Sequence, residues 1–195
     1  MYEDFLRLCD DYCFKRKRIT AEDLEKNEQY LAEQKRNEAK SNVHSFEEYV
    51  ASLGIKSDIT VNNENDLPRL SQLTEKTNQF NFNKEPFSVV ELEKFIASGS
   101  LIFGLRVSDK FGDYGLVGLI LVEVNGRTAI MRNFLMSCRA LGRLIENDFF
   151  DYVLADLGKR GVELSEIRFK ETAKNKPARL FMDKLETGAK KGITA

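Results

Sequence analysis

From residue 58 onward the apolar positions change period several times, and each change marks a new element. Asp58-Ile59-Thr60-Val61 alternates as a short strand. Asn65 can cap a helix with Pro68 in its first turn and Leu67, Leu70 and Leu73 on one face, ending near Thr77-Asn78. Ser88 and Glu91 form a capping box ahead of Val89, Leu92, Phe95 and Ile96, with Gly99 past the end. Strands are predicted over 101–107, 116–124 and 128–136, with a turn at 109–115 and the hairpin dipeptide Asn125-Gly126 between the last two. A stripe of Leu141, Ile145, Phe149, Val153 and Leu157 predicts a helix ending at Gly161, and 162–169 returns as a strand. Asn175 then caps a last helix that tolerates Pro177 and turns Ala178, Phe181, Met182 and Leu185 inward. The order β-α-α-β-β-β-α-β-α predicts an α/β (α+β) fold with a central mixed sheet flanked by helices.

Residues 1–54 read differently. Thr20 and Asp23 start a helix through about Lys40 whose apolar edge, Leu24, Tyr30 and Leu31, is thin among charges. Such a helix is expected to lie on a surface or to bridge to another domain. Ser45 and Glu48 repeat the capping pattern for a short helix carrying Phe46, Tyr49, Val50 and Leu53 up to Gly54. The division is therefore a helical connector over 1–54 and one α/β domain over 55–195.

A chain of 195 residues with 42% hydrophobic content supports one core and no second full domain. Thirty basic and 31 acidic side chains nearly cancel, so net charge argues for neither nucleic acid nor an anionic membrane as partner, and any anion site is local. The three cysteines, Cys9, Cys13 and Cys138, come without an apolar leader or a run long enough to span a bilayer, which predicts a reducing, cytoplasmic setting without disulfides. Cys9 and Cys13 lack a second ligand pair for zinc, and no metal is expected. The run Lys15-Arg16-Lys17-Arg18 is a solvated start to the connector that could attract an acidic partner.

Candidate chemistry concentrates at 134–143, where an apolar strand empties through Ser137-Cys138-Arg139 into a Gly-containing turn that is expected to open the long helix. Unpaired amides and partial positive charge at a helix start favour an anion there. Gly142 lets backbone approach the anion, and Arg139 and Arg143 bring forked donors. Cys138, beside this cation, is the candidate nucleophile or acyl relay, with a small packing residue as the plainer reading. Asp113 is a possible general base, or an Asp that bonds its own backbone in a Gly-rich turn. Asn78, Gln79 and Asn81 offer directed amides to a carbonyl or polyhydroxylated substrate, or cap a helix end; Asn175 caps or touches substrate. The only histidine, His44, sits in the connector, which gives a Cys-His pair weak support.

The element order and the turn Arg139-Ala140-Leu141-Gly142-Arg143-Leu144 resemble the acyl-CoA N-acyltransferase (GNAT) superfamily, whose pyrophosphate loop runs Arg/Gln-x-x-Gly-x-Gly/Ala. Four stretches sharpen the likeness: Thr77-Asn78-Gln79-Phe80-Asn81, the run from Asp109 to Gly118, that from Phe134 to Arg143, and Lys174-Asn175-Lys176-Pro177. Together they resemble the C-terminal half of FkbH-like proteins over about residues 1–185. The resemblance implies acyl or glyceryl transfer involving a phosphopantetheine thiol, on an acyl carrier protein or as CoA. The arm would lie between splayed strands with its phosphate on the turn formed by Ser137, Cys138, Arg139, Gly142 and Arg143. It also implies a haloacid-dehalogenase-type phosphatase as a separate domain or subunit, because these 195 residues contain no Asp-x-Asp. The sequence departs from the superfamily pattern at Met182, where a Tyr often serves as general acid, and in lacking Gly-Phe after the last helix. Two other readings stay open: a non-catalytic carrier-protein docking module, which those departures motivate, and an acetyl-CoA-dependent N-acetyltransferase.

Overall fold

The computed structural model describes residues 21–41 and 43–192, with side chains for 29–41 and 43–187. Cys9, Cys13, the 15–18 run and the Thr20 cap lie outside the described residues. Helix α1 (Ala21–Ser41) and helix α2 (Phe46–Leu53) precede strand β1 (Lys56–Val61). After a single 3-10 turn come α3 (Leu67–Lys76), the two-residue strand β2 (Phe80–Asn81) and α4 (Val89–Ala97). Strands β3 (Leu101–Asp109), β4 (Gly112–Asn125) and β5 (Thr128–Met136) form a meander, followed by α5 (Ile145–Lys159), β6 (Glu163–Ile167) and α6 (Lys176–Gly192).

The sheet runs β1-β3-β4-β5, all antiparallel, and β5 carries two further neighbours on its outer edge. Its first half pairs parallel with β6, Thr128 opposite Glu163, and its last two residues pair antiparallel with β2, Met136 opposite Phe80. One face is a leucine layer under α3 and α4, built on Leu67, Leu70, Leu73, Leu92, Leu119 and Leu135. The other is aromatic, with Phe80, Phe82, Phe134, Phe149, Phe150 and Phe181 packed under α5 and α6. Ring pairs such as Phe80–Phe134 at 4.9 Å and Phe134–Phe181 at 5.6 Å meet edge to face, the arrangement ring quadrupoles favour. Gly118 makes the seat for α5, since a Cβ there would stand 2.9 Å from Leu105 and 3.1 Å from Phe149.

Local chemistry explains where the elements differ from the sequence pattern. The predicted 109–115 turn contracts to Lys110-Phe111, because Asp109 accepts from the amides of Phe111 and Gly112 and closes the hairpin at once. Asn65 does not cap α3, whose cap position is Asp66; it lies in the 3-10 turn, where Asn63 accepts from its amide at 3.2 Å. The caps predicted at Ser45 and Ser88 stand: Ser45 accepts from Glu48, and Ser88 with Glu91 forms the full box. The long helix begins at Ile145 rather than just after Cys138, with Leu144 in the left-handed region at φ 62°. Cys138 is therefore not at a helix start.

Helix α1 reaches the domain by a different surface from the predicted one. Tyr30 and Leu31 are 65% and 55% exposed, while Ala32 and Arg36 are buried against the β3–β4 hairpin. A polar clamp, not an apolar edge, docks α1, while α2 buries Tyr49 and Leu53.

Candidate functional site

The 137–144 stretch is a tight turn hung from the end of β5. The amide of Ser137 donates to Val117 at 2.7 Å and that of Ala140 donates to Ser137 at 3.0 Å. The Ser137 amide is thereby committed, although the sequence placed it among the anion ligands. Gly142 takes φ 73°, which a side chain would resist, and open space lies where its Cβ would stand. Among the described residues no acceptor meets the amides of Leu141, Gly142 and Arg143.

The two arginines of the turn do different work. Arg143 is buried; its Nη1 donates to the carbonyls of Arg139 and Leu141 (the latter at 3.2 Å), and its guanidinium lies 4.9 Å from the Tyr114 ring. It wraps the turn, and a phosphate would meet only what remains of its charge. Arg139 is exposed, donates to Gln29 at 2.8 Å, and is the cation presented to solvent. Arg69 of α3 stands near it, and burial together with the Arg139 charge pulls the Arg69 guanidinium below its ordinary value. Arg69 was not legible from sequence, since its helix showed only its leucine face.

A cleft of about 680 Å³ opens in front of this turn, with Tyr30, Arg36 and Lys40 of α1 on one wall, Asp113 and Tyr114 on the floor, and Cys138 and Arg139 on the other wall. The connector is thus part of the site. Arg36 fastens it: Nε and Nη2 donate to the two oxygens of Asp109 at 2.7 and 3.0 Å, and the guanidinium stacks 4.0 Å over Tyr114. The Tyr114 hydroxyl donates to the same carboxylate at 2.6 Å. Burial pushes the Asp109 carboxyl up, but the hydrogen bonds from Arg36, Tyr114 and the Phe111 amide outweigh it and hold the group below the usual carboxylate range. Burial and that hydrogen bond raise the Tyr114 phenol well above its ordinary value.

Cys138 is exposed on the cleft wall. Asp113 also lines the cleft, and its Oδ1 accepts from the amide of Gly115 at 2.6 Å, so the backbone-bonding role read from the sequence is realised while the rest of the carboxylate faces the opening. His44 is exposed, its amide donating to Glu48 at 3.0 Å, and it is not among the cleft-lining residues.

The expected slot between splayed strands is filled. Beyond Met131 and Ile167, strands β5 and β6 part, and residues 80–82 enter the gap. Phe82 donates to Phe134 at 2.9 Å and accepts from Lys170 at 2.7 Å, so this short segment bridges both sides in the manner of a strand. A phosphopantetheine arm cannot run between β5 and β6 in this arrangement. Arg139 and the amides of Leu141, Gly142 and Arg143, unmet among the described residues, lie on the turn outside the sheet.

Of the amide side chains, Asn78 and Gln79 are exposed at the end of α3, and Gln79 lines neither the cleft nor the cavity described next. Asn78, Asn81 and Asn175 come together around a separate cavity of about 270 Å³. Asn175 takes the backbone cap position, its carbonyl accepting from Arg179, but its side chain points back: Nδ2 donates to Asn81 and Lys170, and Oδ1 accepts from Thr172. It pins the start of α6 to β2. Met182 packs against the aromatic layer. Among the described residues no cluster of three His, Cys, Asp or Glu side chains could hold a metal, and no helix is long and apolar enough to cross a membrane.

No protein-family model matches the sequence, and no curated protein is similar to it in sequence. Among solved structures, the ribosomal-protein-S18-alanine N-acetyltransferase of Escherichia coli resembles the chain at 16% identity, over 67% of this chain and 76% of that one, with a TM-score of 0.49. The ribosomal-protein-alanine N-acetyltransferase of Brucella melitensis biovar Abortus 2308 resembles it at 12% identity, over 66% and 89%, with a TM-score of 0.48. An aminoglycoside N-acetyltransferase solved with CoA does so at 12% identity, over 68% and 88%, with a TM-score of 0.47. These are likenesses to acetyltransferase structures; the roles of individual residues here rest on this chain's own geometry.

Proposed function

We propose that this chain is a GNAT-like acyl-transfer domain that holds the phosphate of a phosphopantetheine arm on the 138–143 turn. The arm belongs to an acyl carrier protein in an FkbH-type acyl or glyceryl transfer system, or to CoA. The observation that carries this reading is the cleft-lining turn of Leu141, Gly142 and Arg143, whose amides meet no acceptor among the described residues, set beside the exposed Arg139. Arg139 supplies forked donors to the phosphate, and the amides supply fixed ones. With the phosphate there, the arm lies along the cleft between α1 and the turn. The arm folds back along the cleft so that its thioester returns to the turn, where the Cys138 thiolate attacks the carbonyl: its C–S bond forms, the bond to the arm breaks, and the arm leaves as thiolate. Asp113, in the same cleft, is the carboxylate available to take the thiol proton.

Incubation with an acyl-loaded or glyceryl-loaded carrier protein, followed by intact-mass measurement, tests the relay. An acyl adduct on the wild type that is absent from Cys138→Ser supports it, and no adduct with unchanged rate removes it. Calorimetry with acetyl-CoA separates the sources of the arm.

A second reading, a non-catalytic module that docks a carrier protein for a phosphatase, is favoured by the Phe80–Phe82 segment that occupies the gap between β5 and β6. Binding of a carrier protein without turnover, unchanged by Cys138→Ser and weakened by Arg139→Glu, would select it.

A further inference from the structure

Strand β6 is an edge of the sheet: it pairs with β5, and among the described residues no strand lies on its other side. The amides of Glu163 and Arg168 turn inward, donating to Arg127 and Met131 at 2.9 Å each. Backbone groups alternate along a strand, so Leu164 and Ile167, next to them in sequence, turn theirs outward. Leu164 and Ile167 also share a face, opposite Ala129 and Met131 of the aromatic layer. They do so because the strand bulges at Ser165, whose hydroxyl donates to the Ala129 carbonyl at 2.9 Å. Both side chains line a groove of about 520 Å³, which Leu154 of α5 and Met182 and Leu185 of α6 complete. An open edge beside an apolar groove is a template for a strand that carries apolar side chains at the same spacing.

We propose that the occupant is a second copy of this chain, its β6 antiparallel to the first across a two-fold axis between Ser165 and Glu166. The strand is self-complementary in that register. Leu164 of one copy falls opposite Ile167 of the other, which joins the outward-facing hydrogen-bonding positions and brings the two grooves together. Glu163 falls opposite Arg168, just past the end of β6, so each copy offers the other one acid and one base. The two-fold axis makes each of these contacts twice. An axis through Glu166 would set that carboxylate against its own copy, and the like charges oppose such a slip. The groove shares no residue with the cleft, so the pairing does not depend on the phosphate reading at the turn.

The test is sedimentation equilibrium of the full chain over a range of concentrations, with hydrogen exchange measured on the same samples. The wild type is expected to pass from monomer to dimer, and the amides of Leu164 and Ile167 to gain protection with it. Arg168→Glu changes a half-exposed side chain and sets two like-charged pairs across the axis, which should weaken the dimer about tenfold. Adding Glu163→Arg reverses the charge on both sides and should restore most of the affinity. That rescue separates the pair across the axis from the 3.5 Å contact of Arg168 with Glu166 inside one chain, which the double variant does not restore. The proposal is overturned by a wild type that stays monomeric, by a dimer that Arg168→Glu leaves intact, or by a loss that Glu163→Arg does not rescue. Protection of Leu164 and Ile167 that is the same at every concentration would overturn it too, since a segment of the same chain would then cover the edge.

Discussion

The two ends of the expected phosphopantetheine path have opposite character. The 138–143 turn is open, with free amides and an exposed arginine at a cleft, whereas the gap between β5 and β6 is closed by Phe80–Phe82 and packed with phenyl rings. A site of this kind can grip an anion without admitting the chain attached to it into the sheet. The open turn and the closed gap thus separate in space, and the connector helix α1, clamped to the β3–β4 hairpin by Arg36, forms the facing wall of the cleft.

The largest effect should come from breaking the closed end. Phe82 is fully buried and contacts the rings of Phe80, Phe134, Phe169 and Phe181. Phe82→Ala should cost about 3–5 kcal/mol in urea unfolding, and a loss under about 1 kcal/mol would mean that the segment merely rests in the gap. Next is the clamp. Asp109→Ala leaves buried Arg36 with only its 3.3 Å contact to Glu33 and should cost about 3 kcal/mol. Because the folded state holds the Asp109 carboxyl below its ordinary value, its contribution is fully present above the usual carboxylate range and is lost as pH falls through the lowered value. Melting curves of wild type and Asp109→Ala should therefore converge toward acid pH and separate at neutrality.

At the open end the effects fall on binding rather than stability. Arg139→Glu should lower affinity for phosphopantetheine by about tenfold or more, the loss of a charge-assisted contact, while shifting unfolding by under about 0.5 kcal/mol, as exposed substitutions do. Smallest of all, Cys138→Ser should leave phosphate binding unchanged and remove only the acyl adduct, a contrast that calorimetry and intact mass read separately.

The apolar runs of β3, β4 and β5, the Asn125-Gly126 hairpin and the Ser45 and Ser88 caps were legible in the sequence, because each is decided by neighbours within a few residues. Strand β2 was not: two residues carry no period, and Phe80-Asn81-Phe82 becomes a strand only because parted strands elsewhere leave carbonyls and amides to pair. The docking of α1 was hidden for a similar reason, since a charged residue, Arg36, is the buried one. At the candidate site the turn itself was legible through Gly142 and its arginines. The division of labour was not, since only the folded turn shows Arg143 spent on the carbonyls of Arg139 and Leu141. Nor was Arg69, which reaches the same neighbourhood from another helix.

The most direct test of the account follows backbone amides by NMR while 4′-phosphopantetheine is added to the full chain. Saturable shifts at Leu141, Gly142 and Arg143, with Phe80, Asn81, Phe82 and Phe134 unmoved, are the predicted result. Shifts at the phenylalanine segment, or none at the turn, would contradict it.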